Sequence, residues 1–131
     1  LRAAGSAIGT AGIMVMDEDT DLVSVLARIT SFYYHESCGQ CTPCREGTGW
    51  MLKILKRMAA GKGQKSDIDL LLSVAYNIDG NTICALGEAA AWPVEHMVAR
   101  FRDEFEAKMN DTVVLPVKNK VHSMRETKIT V

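Results

Sequence analysis

The sequence predicts a mainly α-helical domain, a four-helix bundle. Apolar residues recur at helical spacing in four separate stretches of the 131-residue chain. Short segments rich in glycine, asparagine and aspartate separate those stretches, which is the pattern of antiparallel helices joined by tight loops. The apolar share of 47% is ordinary for a globular domain of this size and supplies enough side chains for one core.

Taken in order, residues 5–12 are small and turn-like, and Ile13, Met14, Val15 and Met16 predict a short buried strand. Residues 17–21 are acidic and offer N-caps for a first helix. That helix runs from 22 to about 34, with apolar positions at 22, 25, 26, 29, 32 and 33. Thr42 and Pro43 read as the N-cap and first residue of a second helix, since a proline there loses only an unpaired donor. Its inner face is Met51, Ile54, Leu55 and Met58, with Trp50 beside it, and it stops at Gly61. Ser66 and Asp69 fit a capping box for a third helix bearing Ile68, Leu71, Leu72 and Ala75. Asp79-Gly80-Asn81 breaks it. Pro93 reads as the start of a last helix carrying Val94, Met97, Val98, Phe101, Phe105 and Met109. Residues 111–131 lose the period and read as an extended, basic tail with Lys118, Lys120, Arg125 and Lys128.

Several function classes drop out. A net charge of −1 and the lack of basic runs interleaved with aromatics argue against nucleic acid. The chain carries no run of about 18 apolar residues, so no direct membrane insertion is expected, and no signal peptide is legible. Four cysteines without a secretory signal point to a reducing compartment and to thiols used as ligands. Gly5, Gly9 and Gly12 do not form a dinucleotide fingerprint, and 61–65 lacks the ending of a phosphate loop. No hydride-transfer site is legible. The first residue is Leu1 rather than Met, which suggests part of something longer.

The chemistry concentrates in the cysteines. Cys38, Cys41 and Cys44 form C-x2-C-x2-C, and three thiolates so spaced can wrap one face of a cubane. Cys84, the remaining cysteine, supplies the fourth ligand from a distant segment. The expected cofactor is therefore one [4Fe–4S] cluster, bound by Cys38, Cys41, Cys44 and Cys84. A structural zinc or interaction module is the alternative from another class, although zinc sites draw their cysteines mostly as two separated pairs. A two-cluster ferredoxin run would place a cysteine four positions after Cys44, where Thr48 stands. The amides of Gly39, Gln40, Thr42 and Arg45 are expected to donate to the sulfides, and Arg45 to offset the thiolate charge.

The run Glu36-Ser37-Cys38-Gly39-Gln40-Cys41-Thr42-Pro43-Cys44-Arg45-Glu46-Gly47 resembles the cluster loop of the NADH- and FMN-binding flavoprotein subunit of NADH:quinone oxidoreductase, respiratory complex I. The similarity extends to Gly12-Ile13-Met14-Val15-Met16-Asp17-Glu18-Asp19, to Ile83-Cys84-Ala85-Leu86-Gly87, to Ala91-Trp92-Pro93 and to Phe101-Arg102-Asp103-Glu104-Phe105-Glu106, and so covers roughly residues 5–108. The resemblance implies that 1–20 are a β-strand remnant and linker of a β-grasp domain, 21–110 the cluster-holding bundle and 111–131 a tail. It implies an electron-relay module that takes electrons from FMN reduced by NADH and passes them to further iron–sulfur clusters. FMN and NADH would bind in an N-terminal domain outside this chain. The implied partners are that domain and the peripheral-arm subunits that carry the other clusters. The implied location is cytoplasmic and peripheral to the inner membrane, or the matrix side in mitochondria. Diaphorase subunits of NAD-reducing hydrogenases and NAD-dependent formate dehydrogenases share the loop and stand as the alternative. Some of them add cysteines after the bundle, and none follows Cys84 here.

Overall fold

A computed structural model describes residue 3 and residues 9–109 of the chain. The tail expected over 111–131 and residues 5–8 of the turn expected over 5–12 lie outside the described residues. Residues 9–20 belong to a unit separate from the bundle. They close one turn, with the Thr20 amide on the Asp17 carbonyl at 3.2 Å and the Thr20 hydroxyl on Asp17 Oδ1 at 2.7 Å. Residues 13–16 are not in a strand, because no partner among the described residues receives their backbone groups.

The bundle contains α1 (Leu22–Glu36), α2 (Thr42–Ala59), α3 (Lys65–Ile78), α4 (Ala85–Arg100) and the short α5 (Arg102–Ala107). Helix α1 packs on α2 and α4, α3 packs on the same two, and α5 touches α1, α3 and α4. The core joins Leu22, Val23 and Leu26 of α1 with Met51, Leu55 and Met58 of α2. Ile68, Leu71 and Ile78 of α3, Val94 and Val98 of α4 and Phe105 of α5 complete it. No described helix is long and apolar enough to cross a membrane.

Local chemistry sets each boundary. The Asp21 carboxylate caps α1 by accepting from the amides of Val23 and Ser24 at 3.1 and 3.2 Å. Lys108 pairs with the same carboxylate and so fastens the end of the bundle to the start of α1. Burial pushes the Asp21 carboxyl up, but the hydrogen bonds from Lys108 and Ser24 outweigh it and hold the group at about 2. Helix α2 closes in a Schellman pair, the Lys62 amide on Arg57 O and the Gly61 amide on Met58 O. Helix α3 opens at Gln64, whose amide donates to Asp67 Oδ2 at 2.9 Å. The buried Asp67 also takes the guanidinium fork of Arg57, joining the end of α2 to the start of α3.

Four expectations shift. The cap of α3 is Gln64 with Asp67, not Ser66 with Asp69, because Asp67 is the acid that Arg57 can reach. Cys41, not Thr42, is the N-cap of α2, and Pro43 still lies in its first turn. Pro93 lies inside α4, which begins at Ala85. An interior proline lacks a donor and costs roughly 3 kcal/mol, which burial of Ala90, Ala91, Val94 and Val98 offsets. The last apolar stretch is therefore two helices hinged at Phe101. Finally, Phe32 is 59% exposed, and the inner stripe of α1 runs through Thr30 instead.

One carboxyl has no comparable support. Burial, and then the charge of Asp79, push Glu95 up to about 7, and its Oε1 has no hydrogen-bond partner among the described residues. A folded-state value above the ordinary 4.5 means that the unfolded chain ionises first as pH rises. The stability is therefore full below about pH 4.5 and falls as pH climbs toward 7. Glu95→Gln should be more stable than the unsubstituted chain at pH 8 by about 1 kcal/mol, after discounting for solvent screening. The two should coincide near pH 4, and urea unfolding at both pH values checks this.

Candidate metal centre

Short loops make successive helices antiparallel, so the α1–α2 and α3–α4 connections emerge at the same end of the bundle. Steric contacts fix that parity. A Cβ on Gly47, near the start of α2, would lie 2.6 Å from Ile78 Cδ1 at the end of α3. One on Gly49 would lie 3.0 Å from the ring of Tyr34, near the end of α1. Cys38, Cys41 and Cys44 thus share one end of the bundle with Cys84.

All four thiols are free. Cys38 and Cys84 are exposed, Cys41 is half-buried and Cys44 is buried in the first turn of α2. Cys41 and Cys84 are the N-cap residues of α2 and α4. Two helix N-termini, each carrying unpaired amides and the positive end of a dipole, therefore lie beside thiols that ligate as anions. The nearby Ile83 backbone is the largest cause holding the Cys41 thiol below its ordinary value. The Cys44 amide and the Arg45 charge act in the same direction, against desolvation. The segment bearing Cys84 thus lies beside the cysteine loop.

Neighbouring groups hold the loop and the turn. Ser37 Oγ lies 3.2 Å from Cys44 Sγ. Gly39 has φ +77°, a left-handed conformation that side chains resist, and it reverses the chain between Cys38 and Cys41. Arg45 donates to the Gly39 carbonyl at 2.8 Å, to Thr42 Oγ1 at 3.4 Å and to Glu46 Oε1 at 3.0 Å. Beyond α3, the Thr82 hydroxyl donates to the Cys84 carbonyl at 2.8 Å. The Thr82 methyl occupies the space that a Cβ on Gly87 would need. Only a glycine on the first turn of α4 admits it.

Two of the amides expected to face sulfide are otherwise engaged. The Arg45 amide donates to Cys41 O at 3.0 Å in the first turn of α2, and the Gly39 amide to Ser37 Oγ at 3.4 Å. The Ile83 backbone lies beside the Cys41 sulfur instead, a role for which no sequence pattern singled it out. Ser37, Thr82 and Gly87 were likewise not legible as site residues. No three His, Cys, Asp or Glu side chains among the described residues are gathered as a single ion requires. Tetrahedral zinc would draw four sulfurs to within about 3.8 Å of one another. A multi-iron core spreads its ligands wider, and four free thiols at two helix N-termini are the donor set it takes.

These features define a helical iron–sulfur-binding domain. The profile of the family described as "NADH-ubiquinone oxidoreductase-F iron-sulfur binding region" matches residues 24–108, and the chain belongs to that family, whose cofactor is a 4Fe–4S group. The NADH-quinone oxidoreductase F subunit of Rickettsia conorii is 56% identical over 115 residues, covering 87% of this chain and 27% of the relative. An F subunit of the same enzyme in Rhizobium meliloti is 51% identical over 111 residues, covering 85% and 26%. The chain therefore spans about a quarter of the length of these curated relatives. Among solved structures, an NAD+-reducing [NiFe]-hydrogenase in the H2-reduced state matches with a TM-score of 0.70 at 35% identity, over 74% of this chain and 17% of that one.

The Thr82–Gly87 contact yields a test of the Cys84 turn. Gly87→Ala should cost about 1–3 kcal/mol by overpacking. Thr82→Ala in the same chain should restore part of the loss, giving a double-mutant cycle in urea that departs from additivity. Additive losses would mean that the two residues do not meet.

Proposed function

We propose that Cys38, Cys41, Cys44 and Cys84 hold one [4Fe–4S] cluster and that the chain is an electron-relay module of an NADH:quinone oxidoreductase. The observation that supports this is the placement of Cys41 and Cys84 as the N-caps of α2 and α4 at one end of the bundle, beside the loop that carries Cys38 and Cys44. When bound, such a cluster supplies one-electron transfer at a potential tuned by hydrogen bonds and nearby charge. The residues of this chain orient the thiols, keep Cys44 from solvent and set the local charge through Arg45 and the helix termini.

In this reading electrons arrive from FMN reduced by NADH and leave to further iron–sulfur clusters. The FMN and NADH sites belong to an N-terminal domain of the longer relatives, and quinone reduction and energy-coupled translocation belong to the whole complex. The division at residues 20 and 110, the partner subunits of a peripheral arm, and the cytoplasmic or matrix face belong to the same proposal. The identity of 51–56% to the NADH-quinone oxidoreductase relatives favours this assembly. The 35% identity to an NAD+-reducing hydrogenase chain supports the second reading, a diaphorase subunit. Subunits that co-purify with the chain separate the two.

Purified without oxygen, the chain should be brown, hold four irons and four sulfides and give an EPR signal on reduction. A colourless, zinc-loaded protein would overturn the assignment. The chain alone should not reduce ferricyanide with NADH, and measurable activity would contradict placing the flavin elsewhere. Cys84→Ala should lose the cluster and also lower the unfolding midpoint, because the group ties α4 to the loop. A variant of native stability without its cluster would contradict that tie.

A further inference from the structure

We infer that Arg45 is a positioning residue for the cluster. Its guanidinium holds residues 39–42 in the turn that presents Cys38 and Cys41, and its charge favours the reduced state of the group they bind. The inference rests on the cluster reading above and adds a residue that acts through the ligands.

The geometry is that of a clamp. Arg45 lies in the first turn of α2, and Gly39 lies outside the helix on the far side of Cys41. The left-handed Gly39 turns its carbonyl to meet Arg45 Nη1 at 2.8 Å, and Nη2 approaches Thr42 Oγ1 at 3.4 Å. Nε is held by Glu46 Oε1 at 3.0 Å, which fixes the plane of the fork. A guanidinium can serve all three acceptors from one rigid plane, whereas a lysine ammonium is a point donor on a flexible stem. The Gly39 bond therefore ties the start of the loop to the helix that carries Cys44. The ion pair is about half exposed, so the clamp stabilises the fold little. Its effect should fall on the loop.

Electrostatics supplies the second half. One added electron makes a thiolate-ligated cluster more negative, and a nearby cation favours that state and raises the potential. Loss of the Arg45 charge would also leave Glu46 unpaired, which pushes the potential down further.

The test compares the full chain with Arg45→Lys, Arg45→Gln and, as a control, Lys56→Gln on the solvent face of α2, all loaded with iron and sulfide without oxygen. Cluster release to a chelator is followed by visible absorbance, and the midpoint potential by EPR titration. Arg45→Gln should release the cluster roughly tenfold or more faster, as loss of an outer-shell partner does, and titrate at a lower potential. Arg45→Lys should keep a potential close to the unsubstituted chain and still release faster, because the charge remains while the fork is lost. Lys56→Gln should change neither. If Arg45→Gln fails to load, the release rate of Arg45→Lys decides. A lysine variant that releases like the unsubstituted chain would overturn the clamp. An unchanged potential in Arg45→Gln, or an equal fall in Lys56→Gln, would overturn the charge effect. An unsubstituted chain that takes up no cluster would instead fail the cluster reading itself.

Discussion

The meeting of the α1–α2 and α3–α4 turns at one end of the bundle is the constraint on which the site depends, because it sets Cys41 and Cys84, the N-caps of α2 and α4, at the same end. Residues 41 and 84 are far apart in sequence, and their meeting requires the parity of an antiparallel bundle. Two close approaches accompany that parity: α2 against α3 at Gly47 and α2 against α1 at Gly49. A Cβ at Gly47 would press into the Ile78 side chain, and one at Gly49 would push against the Tyr34 ring. The apolar core aligns the helices along their length, while these contacts fix which residues face each other at one end.

The opposite end is secured differently. Arg57 and Asp67 bridge α2 to α3, and Lys108 and Asp21 return α5 to α1. Arg102 adds bonds to Asp69 and Glu106, each at 2.8 Å. The exposed members of this set contribute little individually. The buried Asp67 carries more weight, since losing Arg57 would leave a desolvated carboxylate half-partnered. Ion pairs thus close one end, and at the other the helix termini keep their amides and dipoles for an anionic group.

Much of this was legible in the residues. The 3.6-residue period located α1, α2 and α3, and the cysteine spacing marked the loop without any structure. Misreadings arose where packing overrides a local signal. Pro93 reads as a helix start, yet the small residues Ala85, Gly87, Ala89, Ala90 and Ala91 let α4 begin earlier and press against its neighbours. Phe32 fits the period of α1 but lies outward, because the inner stripe continues through Thr30. The strand expected at 13–16 needs a partner that one segment cannot supply. Ile83 was invisible because it acts through its backbone, and Thr82 because its role exists only opposite Gly87. Arg45 was legible as a charge near thiolates, while its clamp on Gly39 required the fold.

The central claim is that all four cysteines bind the same group. Thiol alkylation mapped by mass spectrometry, on the iron-loaded chain without oxygen, tests it most directly. Cys38 and Cys84 are exposed in the fold itself and would be modified readily unless ligated. The account expects Cys38, Cys41, Cys44 and Cys84 to be protected together and to become reactive together once iron is chelated. Modification of Cys84 in the loaded chain at the rate of the stripped chain would contradict it.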